Sequence, residues 1–194
     1  MASDATSTFG NLSIPVPRDC TPSGDGVVVG AGAVEVDAYI DFQCPFCRQF
    51  ELMAGPTLDT LVADKIVSLI YHPVNFLDAV SPTGYSTRAA AAAGAASDQG
   101  MFREYTDALF LNQPSEGGPG LTDGQLVELG QDIGITDPEF AEAIRRGRYL
   151  LWPPYVTERA VQRGVGGTPS VFVRGIPVAA RPGPILVAVQ AAIE

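Results

Sequence analysis

Asp41-Phe42-Gln43-Cys44-Pro45-Phe46-Cys47-Arg48-Gln49-Phe50 is the stretch from which the rest of the 194-residue chain can be read. Upstream of it, Val34 to Phe42 is β-prone and alternating, and it runs straight into Cys44. Pro45 suits the first position of a helix, since the N–H it lacks would have no partner there anyway. Phe46, Phe50, Met53 and Leu61 then recur at helical intervals through about Ala63. Cys44 thereby becomes the capping residue, with its sulfur in reach of the free N–H groups of Phe46 and Cys47. Such a helix end is worth up to about 2 kcal/mol to an anion, more than tenfold in thiol acidity. Cys47 lies on the same helical face, so the two sulfurs can close a small disulfide ring. About 1.4 kcal/mol corresponds to roughly 30 mV for a two-electron couple, so a stabilised Cys44 thiolate makes that disulfide more oxidising.

Working outward, Val27 to Val29 forms a strand before the Gly30-Ala31-Gly32 turn, and Ile66 to Val74 returns to β character after the helix. Strand, helix, strand is a βαβ unit, whose parallel strands need a right-handed crossover. From about Ser81 to Gly164 the texture is helical: Arg88 to Ser97, Met101 to Leu111, Thr122 to Ile133, Pro138 to Leu150 and Tyr155 to Arg163. Thr122-Asp123 and Thr136-Asp137-Pro138 mark helix starts, placing acceptors and acids where orphan N–H groups need them. Strands Ser170 to Arg174 and Ile176 to Val178 follow, then an amphipathic helix from Pro184 to Ile193. The layout is βαβ, a helical insertion, then ββα, which predicts an α/β fold with helices covering both faces of a sheet. Residues 1–26 are rich in small and polar types and read as an extended lead-in with a short strand at Leu12 to Val16.

Composition narrows the function. The net charge of −10 repels phosphate backbones, so nucleic acid is not an expected partner. Lys65 is the only lysine, which disfavours Schiff-base chemistry. No apolar run is long enough to span a bilayer. The opening Met-Ala-Ser-Asp-Ala-Thr-Ser-Thr lacks a basic and an apolar region, so it is not a secretory signal. Three cysteines are too few for a disulfide framework, and the Cys44–Cys47 spacing points to redox or metal chemistry. A zinc site needs four ligands, and only Cys20 and His72 remain as soft candidates, neither in a paired spacing. Two buried structural cysteines are the plain alternative, for which a strand-to-helix junction opened by proline is unusual context.

A second constellation is Gly164-Val165-Gly166-Gly167-Thr168-Pro169-Ser170-Val171-Phe172-Val173. On composition alone it is a turn followed by an edge strand. Together with the Asp41–Phe50 stretch, it resembles the thioredoxin superfamily and, within it, the DsbA-like thiol-disulfide oxidoreductases. The resemblance implies a thioredoxin fold formed by 27–80 and 165–194, with 81–164 as an inserted helical subdomain between the βαβ and ββα halves. It also implies that Cys44 is the exposed nucleophile, that Cys47 is its buried resolving partner, and that Pro45 and Phe46 shape the thiolate environment. Pro169 would be a cis-proline whose loop binds extended substrate, and Thr168 would tune both substrate contact and potential. No cofactor and no metal are implied.

By the same resemblance the chain would be a monomer that introduces disulfides into reduced substrate proteins outside the cytosol, its signal segment removed, with a membrane quinone-linked enzyme to reoxidise it. A reductase or glutathione-linked member of the superfamily, and a peptide-binding module with an inert disulfide, are the alternatives. Two departures stand out. Phe46 occupies a place where strongly oxidising members carry histidine, so a less extreme Cys44 acidity is expected. Ala38 stands where the family has a buried carboxylate, and strand alternation turns Asp37 to the opposite face, so no acid is identified as proton acceptor for Cys47. Cys20 reads as an incidental thiol, His72 as a structural strand-end residue, Tyr149 and Trp152 as core, and Arg145, Arg146 and Arg148 as a solvated helix end.

Overall fold

The computed structural model describes residues 6–9 and 12–194. Strand β1 (Thr6–Phe9) pairs antiparallel with β2 (Leu12–Pro15) as a separate two-stranded sheet. Within the described residues, the expected extended lead-in is therefore a two-stranded sheet packed on the core. Ile14 is fully buried, and the following turn is pinned where Trp152 Nε1 donates to Gly24 O at 2.8 Å.

The main sheet contains β3 (Val27–Val29), β4 (Val34–Ile40), β5 (Val67–Pro73), β6 (Ser170–Val173) and β7 (Ile176–Val178), in the order β3-β5-β4-β6-β7. The β4–β5 pair is parallel and is joined by helix α1 (Pro45–Ala63), as the βαβ pattern requires; the remaining pairs are antiparallel. β4 is buried on both sides at its C-terminal half, so its hydrophobic run leads into the interior before the chain turns into α1.

Five helices separate β5 from β6: α2 (Tyr85–Asp98), α3 (Phe102–Leu111), α4 (Asp123–Asp132), α5 (Pro138–Arg145) and α6 (Trp152–Gln162). A final helix, α7 (Pro182–Ile193), closes the chain. α5 stops at Arg145, short of the expected Leu150, and Gly147 in left-handed geometry marks the break. α4 opens with the reciprocal Thr122–Gln125 capping box, and Asp137 caps α5. The alanines of α2 are all buried, allowing this helix to pack at close range against α3, α5 and α6. Tyr149 and Trp152 belong to the core as expected.

On α1 the buried face is Cys47, Phe50, Glu51, Ala54, Gly55 and Leu58. The sequence periodicity had placed Phe46 and Met53 inward; they are 67% and 45% exposed. Phe50 with Ala54 and Leu58 sets the true stripe, which leaves Phe46 at the rim beside the cysteines.

Candidate active site

Cys44 caps α1 at the C-terminal end of β4, and Pro45 occupies the first helical turn. Both cysteines are free thiols. Cys47 is fully buried, as implied, but Cys44 is only 6% exposed. The expectation of an exposed Cys44 is thus corrected. Its sulfur lies under the facing loop and donates to Thr168 O at 3.5 Å, while Pro45 and Phe46 carry the exposure at this corner. The Thr168–Pro169 peptide is cis, and both residues are partly buried, so the loop that opens β6 lies directly against the cysteine pair.

The two thiols differ sharply in acidity. The Cys44 thiol is held down to about 6, chiefly by a hydrogen bond from the Cys47 thiol against the opposing effect of burial, with further help from Thr168 and the amides of Cys47 and Phe46. In the dithiol no backbone N–H completes a capping bond to the Cys44 side chain, so the helix end acts through field and orientation. The Cys47 thiol is pushed well up by burial and by the neighbouring Cys44 sulfur. One sulfur is therefore a thiolate at neutral pH and the other a thiol, the asymmetry that thiol–disulfide exchange requires.

Several polar residues that hold this arrangement were not singled out from sequence. Asp41 is fully buried: its carboxylate accepts from Gln43 N at 2.9 Å, Ser86 Oγ at 2.6 Å and Leu77 N at 2.9 Å, and its own N–H donates to Cys47 Sγ at 3.4 Å. Gln43 Nε2 donates to Ser115 O at 3.2 Å and to Gly118 O at 3.0 Å. Gln113 Nε2 returns the contact by donating to Phe42 O and Cys44 O, both at 3.0 Å. The loop between α3 and α4 is thereby fastened to the turn that carries Cys44.

Beneath the Ala38 face of the sheet, Glu51 sits one turn along α1 from Cys47. It is paired with Arg103 at 3.2 Å and accepts from Tyr71 Oη at 3.2 Å. Burial pushes its carboxyl up to about 7. Asp37 does face the other side, where His72 Nε2 lies 2.9 Å from its Oδ1 and Arg163 NH2 3.0 Å from its Oδ2. His72 thus has the acid partner that its sequence neighbourhood did not reveal. Cys20 is a half-buried free thiol in a β-bridge with Val27, and burial together with nearby Asp25, Asp98 and Asp19 pushes its thiol far above the ordinary range. Among the described residues no cluster suited to a metal ion occurs.

A family profile described as Thioredoxin matches residues 23–184. Among solved structures, DsbA of Mycobacterium tuberculosis in its reduced form superposes with a TM-score of 0.76 at 30% identity, covering 87% of this chain and 92% of that one. The reduced disulfide bond oxidoreductase DsbG of the same organism gives 0.77 at 31% identity, covering 88% of each chain. Serine/threonine-protein kinase PknE of Mycobacterium tuberculosis is 35% identical over 135 residues, 65% of this chain and 24% of that protein. The chain spans about a quarter of the length of the curated relatives it matches. On these likenesses the chain belongs to the thioredoxin family and is a DsbA-like member of it.

Proposed function

We propose that the chain is a protein disulfide oxidase that donates the Cys44–Cys47 disulfide to reduced substrate proteins. The observation that carries this reading is the divided acidity of the pair, with Cys44 near 6 and Cys47 well above its ordinary value. A substrate thiolate attacks Cys44 Sγ, the Cys44–Cys47 bond breaks, and Cys47 leaves as the sulfur that takes a proton. A second substrate thiol then attacks the substrate sulfur of the mixed disulfide, and Cys44 departs as a stabilised thiolate. The substrate loses two electrons and the protein gains them.

Thr168 and Pro169 supply the docking edge in this reading. Once Cys44 Sγ is bonded to substrate, Thr168 O is released from its thiol donor and can accept from an extended substrate backbone, recognition that is indifferent to side-chain sequence. Phe46, exposed at the rim, offers apolar contact to unfolded chains. The segments 27–80 and 165–194 form the catalytic domain, and 81–164 the inserted subdomain that buttresses it. An oxidase of this kind works outside the reducing cytosol, as a monomer reoxidised by a membrane quinone-linked enzyme.

Mixing the oxidised protein with an equimolar reduced, unfolded ribonuclease tests the function through recovery of ribonuclease activity. Transfer of disulfides is expected from the native pair, with Cys44→Ser and Cys47→Ser both inert because neither can carry the intramolecular disulfide. Faster reduction of insulin than oxidation of ribonuclease would assign a reductase instead. Undiminished peptide binding by the double cysteine variant, without any transfer by the native pair, would assign a binding module.

A further inference from the structure

The Asp41 carboxylate is an anion sealed in the interior whose donors are all neutral: two backbone amides, of Gln43 and Leu77, and the Ser86 hydroxyl. It is wired to both cysteines through its own backbone, since Asp41 O accepts from Cys44 N at 3.0 Å and Asp41 N donates to Cys47 Sγ at 3.4 Å. Neutral donors can hold one buried charge, but a second negative charge close by acts against it in a medium that screens poorly. Reduction creates that second charge as the Cys44 thiolate.

We propose that Asp41 binds a proton when the Cys44–Cys47 disulfide is reduced and releases it when the disulfide re-forms. This role rests on the redox function proposed above. A substrate dithiol delivers two electrons and two protons. The Cys44–Cys47 bond breaks and a disulfide forms in the substrate. One proton goes to Cys47 Sγ, Cys44 Sγ stays a thiolate, and the second proton goes to the Asp41 carboxylate in place of solvent. Charge is conserved: one negative charge, on Asp41 before reduction, resides on Cys44 after it.

The groups facing Asp41 agree with this assignment. From α1 they are Cys44 and Cys47, and from α2 Tyr85 and Ser86; the short 3-10 turn Phe76–Ala79 presents the Leu77 amide. Asp78 in that turn directs its carboxylate to Asn75 and Thr87. Burial, the largest cause, pushes the Asp41 carboxyl up to about 6, and the Cys44 charge adds to it. Cys44 is held down to about 6 as well, so the two groups titrate over the same pH range. In the disulfide form the thiolate is gone and Asp41 is the stronger acid. The ordinary sequence signal was there, an acid three residues before Cys44, but only the fold reveals that its hydrogen-bond donors are uncharged.

Reduced-minus-oxidised infrared difference spectra of the whole protein near pH 6, with carboxyl-labelled aspartate, test the role. The expected result is a protonated-carboxyl band that appears on reduction, moves with the label and is lost in Asp41→Asn. Ser86→Ala removes one donor from the carboxylate, so the same band should persist to higher pH; this variant and the native protein keep the test valid if Asp41→Asn does not fold. In Asp41→Asn the Cys44 thiolate absorbance should titrate in a single step, at a severalfold greater acidity than in the native protein. Full reduction with no labelled carboxyl band overturns the proposal and leaves the redox function intact. A disulfide that no dithiol reduces defeats both.

Discussion

Lowering the pH should remove the stability that the Cys44 thiolate gives the reduced protein. The Cys44 thiol goes from an ordinary 9.0 to about 6 on folding. A depressed folded value means that the stabilisation is complete above the unfolded value and is lost as pH falls toward the folded one. The full difference is about 4 kcal/mol, which is an upper bound because part of the site borders solvent. Integration over the titration gives about 1.4 kcal/mol at pH 7, about 2.7 kcal/mol at pH 8 and almost nothing at pH 5. The assay is urea unfolding with excess reductant at several pH values, comparing the native sequence with Cys44→Ala. The two stabilities should diverge by about 1.4 kcal/mol between pH 5 and pH 7. The raised Glu51 carboxyl acts in the opposite sense, but it is present in both proteins and owes nothing to Cys44, so it cancels; Asp41, which does feel the Cys44 charge, makes the difference slightly smaller. Parallel pH profiles would refute the claim that the fold stabilises a Cys44 thiolate, whatever the alkylation rate of that thiol.

Glu51→Gln keeps the shape of a buried carboxyl raised from 4.5 to about 7. Stability tied to that group is intact below 4.5 and lost as pH rises through 7, so the variant should match the native protein near pH 4 and exceed it by up to about 3 kcal/mol at pH 8. Equal stability at both pH values in chemical denaturation would count against a charged Glu51. Gly32→Ala places a Cβ 2.2 Å from the Ile66 carbonyl carbon and the Val67 nitrogen, backbone that cannot yield; a loss of about 3 kcal/mol or more is expected, and a melting temperature within about 2 °C of native would contradict it. Gln113→Ala leaves the Phe42 and Cys44 carbonyls without their side-chain donor, which should cost about 1–3 kcal/mol and speed proteolysis of the 112–121 loop. Unchanged unfolding and cleavage would mean that the loop is held by other contacts.

The parts of the fold that local chemistry dictates were legible in the chain. Pro45 after an alternating strand, glycine breaks between helices, and the Thr122 and Asp137 caps each act over a few residues, so their consequences can be read without knowing the fold. The parts that depend on register could not be read in this way. The His72–Asp37 contact is a diagonal across β4 and β5, where His72 pairs with Tyr39 and Asp37 with Ile70. Glu51 was not singled out, because the Arg103 that pairs with it arrives from α3, far away in sequence. Cys44 was expected at the surface on the family resemblance, and how far the loop from a segment more than 120 residues later closes over its sulfur is not written in either stretch. In each case the missing knowledge was which distant backbone lies alongside.

The most direct test of the central claim is the midpoint potential of the Cys44–Cys47 pair, measured by equilibration in glutathione buffers with thiol alkylation and mass readout. An oxidase whose Cys44 is as acidic as the site makes it should lie between about −120 and −180 mV, in the range of strongly oxidising dithiols. A value near −270 mV would mean that the disulfide is the favoured form, and would contradict the assignment of this chain as a disulfide donor.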